Sequence, residues 1–169
     1  VNMSGNADNE YFSDGLTETL LHMLAQVPEI KVAARTSSFA FKGQQQDIRN
    51  IALALGVAHV LEGSVQRSGD KVRVTAQLIR ANDGFHVWSS IYDRTLNDIF
   101  VIQDEIAKDV GESLTTSLLG EKPITIEGIG THNVVAYDLY LQALGRRANG
   151  SYGALRQAEE LLKEALLLD

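Results

Sequence analysis

The chain has 169 residues, 44% of them hydrophobic and 22% charged, with a formal net charge of −7 and a sequence pI near 5.1. That suits one medium-sized domain, or one compact domain with a small appendage, and excludes a wholly disordered chain. The acidic balance argues against general binding to nucleic acid or anionic lipid, and the absence of cysteine excludes disulfides, thiol catalysis and thiolate-held zinc.

Val1-Asn2-Met3-Ser4-Gly5 reads as a strand leaving into a loop, so the start of the sheet is expected upstream of Val1. Residues 4–13 are rich in turn formers. A helix is predicted over 14–27, with Asp14 as N-cap, an apolar stripe of Leu16, Leu20, Met23, Leu24 and Val27, and Pro28 as its stop. Ile30 to Arg35 alternates and predicts a short strand. Thr36 to Gln46 reads as a polar loop containing Phe39 and Phe41. A second helix is expected from the Asp47 cap to Gly56, with Ile48, Ile51, Ala52 and Leu55 on its apolar face.

Three strands follow, over 58–67, 71–81 and 85–93. Ser68-Gly69-Asp70 and Asn82-Asp83-Gly84 supply the turns. In the middle strand Val72, Val74, Ala76 and Leu78 alternate with Lys71, Arg73, Thr75 and Gln77, the period-2 pattern of a half-buried antiparallel strand. A long helix over 97–119 carries Ile99, Ile102, Ile106, Val110, Leu114 and Leu118 at helical spacing. Residues 120–131, with Gly120, Pro123, Gly128 and Gly130, read as a linker. Two further helices, 133–147 and 152–168, flank Asn149-Gly150-Ser151. The element order predicts an α/β (α+β) fold, a mixed sheet packed with helices, followed by a C-terminal helical hairpin.

No metal-ligand spacing joins His22, His59, His86 and His132, and neither a phosphate-binding glycine loop nor a nucleophile elbow is present. Asp14 with Glu18, and Asp104, Glu105, Asp109 and Glu112, read as helix-start acids and a solvated helix face. Two clusters carry more chemistry. Arg35, Thr36, Ser37, Ser38 and Lys42 place hydroxyls and cations at a strand exit, where α/β sheets often bind ligands; a turn whose serines satisfy backbone groups is the simpler alternative. Trp88 and Tyr92 share a face of the last strand, as a partner surface or as packing under the long helix. No catalytic residue, cofactor or metal is expected.

Several ordered blocks resemble a family of bacterial TolB-like N-terminal domains. They are Asn9-Glu10-Tyr11-Phe12-Ser13-Asp14-Gly15-Leu16-Thr17-Glu18, Ala34 to Gly43, Val60 to Val65, Val74 to Ile79, Trp88 with Tyr92-Asp93-Arg94, and Ile99 to Ala107. The resemblance covers residues 2–118. It implies a five-stranded mixed sheet like that of anticodon-binding domains, with a central first strand lying before Val1. Ala136 to Leu141, then Ala158, Leu162 and Ala165, resemble the helices of a first tetratricopeptide repeat. The expected domains are thus 1–119, a linker at 120–131, and the start of a repeat array at 132–169.

Such domains sit between an upstream adenylate or guanylate cyclase domain, or a winged-helix domain, and downstream repeats. The resemblance therefore implies a non-catalytic regulatory or assembly module of a bacterial signalling protein. Its partners would be proteins bound through the repeats, with a homodimer as a further assembly, no nucleic acid, and no membrane insertion of this stretch. The cytoplasm is the expected compartment, or the periplasm if the parent is membrane-anchored. A small-ligand sensor built on Arg35 to Lys42 and the regulatory part of a winged-helix transcription factor are the alternatives.

Overall fold

A computed structural model of the chain describes residues 2, 10–119, 131–148 and 151–169. The elements are α1 (Glu10–Ala25), α2 (Arg35–Phe39), α3 (Ile48–Leu55), β1 (His59–Ser68), β2 (Lys71–Arg80), β3 (His86–Thr95), α4 (Ile99–Leu119), α5 (Val134–Ala148) and α6 (Tyr152–Leu168). Most of the expected linker, as well as residues 4–9 and Asn149-Gly150, lies outside the described residues.

The three strands form an antiparallel meander in the order β1-β2-β3. Its first turn is the two-residue Gly69-Asp70 loop joining the Ser68–Lys71 pair. Gly69 has φ +61 and, among the described residues, no non-glycine residue has positive φ, the signature of a II′ turn that matches strand twist. Val72, Val74, Ala76 and Leu78 are buried, as their alternation requires. Opposite Val74 stand Val65 on β1 and Tyr92 on β3, both buried too, so one face of the sheet is apolar across all three strands. Helix α4 lies on that face through Ile99, Ile102, Ile106 and Val110, each fully buried. Helix α3 begins on the Asp47 cap, whose carboxylate accepts from the Arg49 amide at 2.9 Å, and ends at Gly56.

Three expectations need correction. The first helix starts at Glu10 rather than at Asp14, because Phe12 and Ser13 are buried in its first turns. Asp14 is therefore an interior helix residue and not a cap. Ile30 to Ala34 forms no strand: Ile30 and Val32 pack against the core, so their alternation reflects one-sided burial without a ladder. The polar loop after it opens with the short helix α2. The α/β class holds, and the parallel component of the sheet among the described residues is the single bridge Asn2–Val65.

Helix α5 belongs to the same hydrophobic cluster as the sheet through Tyr137 and Leu141. Its approach to α1 depends on Gly15: a Cβ there would lie 2.1 Å from Leu141 Cδ2. A buried polar triad fixes the same junction. Gln103 of α4 donates to the Tyr137 hydroxyl at 2.7 Å, and Thr19 of α1 shares a 2.9 Å hydrogen bond with it. On the flank, Tyr11 donates to Asp138 at 3.1 Å, and Arg67 of β1 reaches the same carboxylate at 3.3 Å. Helix α6 packs along α5, burying Ala158 and Ala165.

Gly15→Ala is expected to destabilise the protein by about 1–3 kcal/mol through overpacking, measured by urea denaturation. Tyr137→Phe should cost roughly 1–3 kcal/mol, because it leaves two buried side chains short of a partner. An unchanged denaturation midpoint for Tyr137→Phe would show that the triad is not closed in solution.

Candidate functional site

Helix α1 presents Glu10, Asp14 and Glu18 at four-residue intervals, so the three carboxylates stand in a row along one side of the helix. The segment carrying the first predicted cluster lies against that row. Lys42 Nζ donates to Glu10 at 2.6 Å and to Asp14 at 2.5 Å. Arg35 Nε pairs with Glu18 at 3.1 Å, and the guanidinium stacks 4.3 Å from the Phe39 ring centre. Thr36 and Ser37 are exposed, and Ser38 donates back to the Ala34 carbonyl at 3.3 Å. The cations of the cluster are thus engaged by α1, and the Ser38 hydroxyl is turned back to the backbone.

Burial pulls the Lys42 ammonium down, but its bonds to Asp14 and Glu10 outweigh this and leave it above its ordinary value. The hydrogen bond and charge of Lys42 hold the Glu10 carboxyl below its own. At the start of α3 the Arg49 guanidinium beside Asp47 lowers that carboxyl to about 2.

The second predicted cluster lies elsewhere, between β3 and α4. Tyr92 is buried and donates to Asp109 at 2.7 Å; burial first, and then this bond to a carboxylate, raises its phenol well above the ordinary range. Trp88 is half-buried and, with Val87, Asp109, Glu112, Ser113 and Thr116, lines an open cleft of about 580 Å³. Val87 joins Trp88 in this lining because the ladder slips there: Leu78 faces Trp88 while Ile79 faces His86, so Val87 is an extra residue. Such a bulge re-aims side chains that would otherwise alternate. Across the strand end, Arg94 reaches Glu105 of α4 at 3.3 Å.

Trp88 and Tyr92 were indicated by their shared strand face. Ser113 and Thr116 carried no such signal, and the acids of α4 read as a solvated face. Their common stripe is visible only as the spacing 105, 109, 112, 113, 116 on one helix. A further cavity of about 700 Å³ lies between α3 and the β1–β2 strands, lined by Arg49, Leu53, His59, Arg80 and Asn82 among others. Burial and then the charge of Arg80 lower the His59 imidazole, whose Nε2 is buried without a hydrogen-bond partner. Among the described residues no group of three His, Asp or Glu side chains could hold a metal ion, and no helix is long and apolar enough to cross a membrane.

No protein-family model matches the chain. Over 170 residues it is 39% identical to "Putative adenylate cyclase 3" of Rhizobium meliloti (strain 1021). The match takes in 99% of this chain and 29% of the relative, so the chain spans less than a third of that relative's length.

The ion pairs on α1 give a pH-dependent expectation. A carboxyl lowered in the folded state contributes stability that is present above its unfolded pKa, near 4.5 for Glu10, and is lost as pH falls through the folded value. Lys42→Met should therefore cost about 0.5–1 kcal/mol near neutrality, given the partial exposure of the pair. Urea curves should show the penalty shrinking below about pH 4. A penalty constant with pH would assign it to the lost packing of the lysine stem.

Proposed function

We propose that this chain is a non-catalytic regulatory and assembly module of a larger bacterial signalling protein of adenylate cyclase type. It is read as a TolB-like domain that couples an effector domain to protein-binding tetratricopeptide repeats, of which α5 and α6 are the first pair. The carrying observation is the junction of α5 with α1, α4 and β1. Tyr137, Leu141 and Asp138 of the hairpin are each bonded to or packed against the α/β unit. A load or partner acting on the hairpin would thus be felt in the core helices and not only in a tether.

The name of the relative supports the cyclase context, and the small share of it that aligns is compatible with an activity held elsewhere in the longer chain. The side chains described here support the non-catalytic reading: the paired acids of α1 are bound by cations, and Asp109 is bonded to a buried tyrosine. The same ion pairs leave less chemistry for a ligand sensor on Arg35 and Lys42. A cytoplasmic setting is proposed on the cyclase context alone.

Two measurements test the reading. The purified chain with ATP and magnesium should form no cyclic AMP; turnover by the chain itself would refute the non-catalytic role. Removal of residues 132–169 should raise amide hydrogen exchange in α1 and α4 by at least about tenfold, since it uncovers Gly15, Thr19 and Gln103. Unchanged exchange would show that the hairpin is mechanically separate, and the coupling role would fall.

A further inference from the structure

The cleft beside β3 has a second property. Strand β3 is the last in the sheet order, with a ladder partner on the β2 side only among the described residues. An open edge is a template for another strand, and proteins usually protect it with Pro, Lys or a short length. Here β3 runs for ten residues, and its Trp88-Ser89-Ser90-Ile91-Tyr92 stretch contains no charge and no Pro. The bulge at Val87 disturbs only its start, and Trp88 to Thr95 pair with β2 in unbroken register. The β1 edge, by contrast, is met by the Asn2 bridge.

The chemistry on either side of this edge differs. On the core side, α4 lays Glu105, Asp109, Glu112, Ser113 and Thr116 along the strand. Glu105 is tied to Arg94 and Asp109 to Tyr92, which holds α4 against β3 beside the cleft. Trp88 forms part of the floor near Glu112 and Ser113. On the opposite face Ile91 is 62% exposed. In an added strand, alternate side chains would meet these two environments in turn. One set would face carboxylates and an indole ring, which favours Lys or Arg through charge and cation–π attraction. The other set would lie beside Ile91, which favours a β-branched apolar residue.

We propose that the β3–α4 cleft is a docking groove for an extended basic segment of a protein partner. The segment adds as a strand along Trp88–Asp93, with Lys or Arg at alternate positions against α4. This goes beyond the assembly role by giving one partner a chemistry and a place. It is independent of the hairpin experiment, which reads the exchange of α1 and α4 with no peptide present.

The test is NMR titration of the full chain with a capped hexapeptide alternating valine and lysine. We expect the amide resonances of Trp88 to Asp93 and the Trp88 indole to shift, with a dissociation constant on the order of 0.1–1 mM, and those amides to exchange more slowly. The valine–glutamate counterpart should leave them unmoved. N-methylation of alternate peptide amides should abolish binding, because it removes the ladder donors. The double variant Asp109→Asn, Glu112→Gln should weaken binding roughly fivefold while its spectrum elsewhere stays native. Equal binding of the N-methylated peptide would overturn strand addition, and equal binding of the glutamate peptide would overturn the charge selection. Shifts confined to other surfaces would overturn the site. A mass that doubles with concentration, with edge resonances that no peptide can displace, would assign the edge to a second copy and overturn the partner proposed here.

Discussion

Helix α1 must serve three neighbours at once, and the rest of the structure depends on that constraint. Its apolar stripe of Phe12, Leu16, Leu20 and Met23 enters the core. Its acidic row holds the α2 segment by charge. Its remaining side admits α5 only because residue 15 has no side chain to meet Leu141. Sixteen residues thus combine hydrophobic, ionic and steric requirements on separate faces. The block Asn9 to Glu18 and the block Ala34 to Gly43 are best understood together: the acids of one are the partners of the cations of the other.

Much of the fold was legible because burial on one side leaves a period. The stripes of α4 and β2 are nearly complete in the sequence, since each element turns one broad apolar face to the core; Ile79, buried on the other face of β2, falls outside that period. Where more than one neighbour bears on a segment, the pattern misleads. Ile30 and Val32 alternate because one side of an extended segment touches the core, and no adjacent strand turns that into a ladder. The start of α1 lay hidden behind Tyr11, Phe12 and Ser13. Those residues are poor helix signals locally, and the partners of Tyr11 and Phe12, Arg67 and for Tyr11 also Asp138, lie far along the chain.

The candidate sites divide in the same way. Arg35 and Lys42 were conspicuous as cations among hydroxyls, but chemistry visible in sequence says nothing about who spends it; here α1 does. Trp88 and Tyr92 were conspicuous by spacing, and the cleft they border owes its form to the Val87 bulge and to a polar stripe on α4. A bulge leaves no trace in an alternating pattern, since it is a property of two strands in register. The stripe reads as ordinary solvation until the edge strand beside it is known.

The Thr19–Tyr137 bond joins residues 118 positions apart. A chain emerging from a ribosome makes its N-terminal residues first, so α1 exists long before the helix that seals its glycine side. The β1–β2–β3 meander is local and can form early, with its turns closing only a few residues each. Helix α1 must then wait, with Gly15 and Thr19 short of their α5 neighbours, until α5 has cleared the exit tunnel. A product ended before α5 would leave Gly15, Thr19 and Gln103 without the Leu141 and Tyr137 side chains that meet them. The order of synthesis therefore runs against the order of packing: the side of α1 around Gly15 is made first and gains its α5 neighbours last.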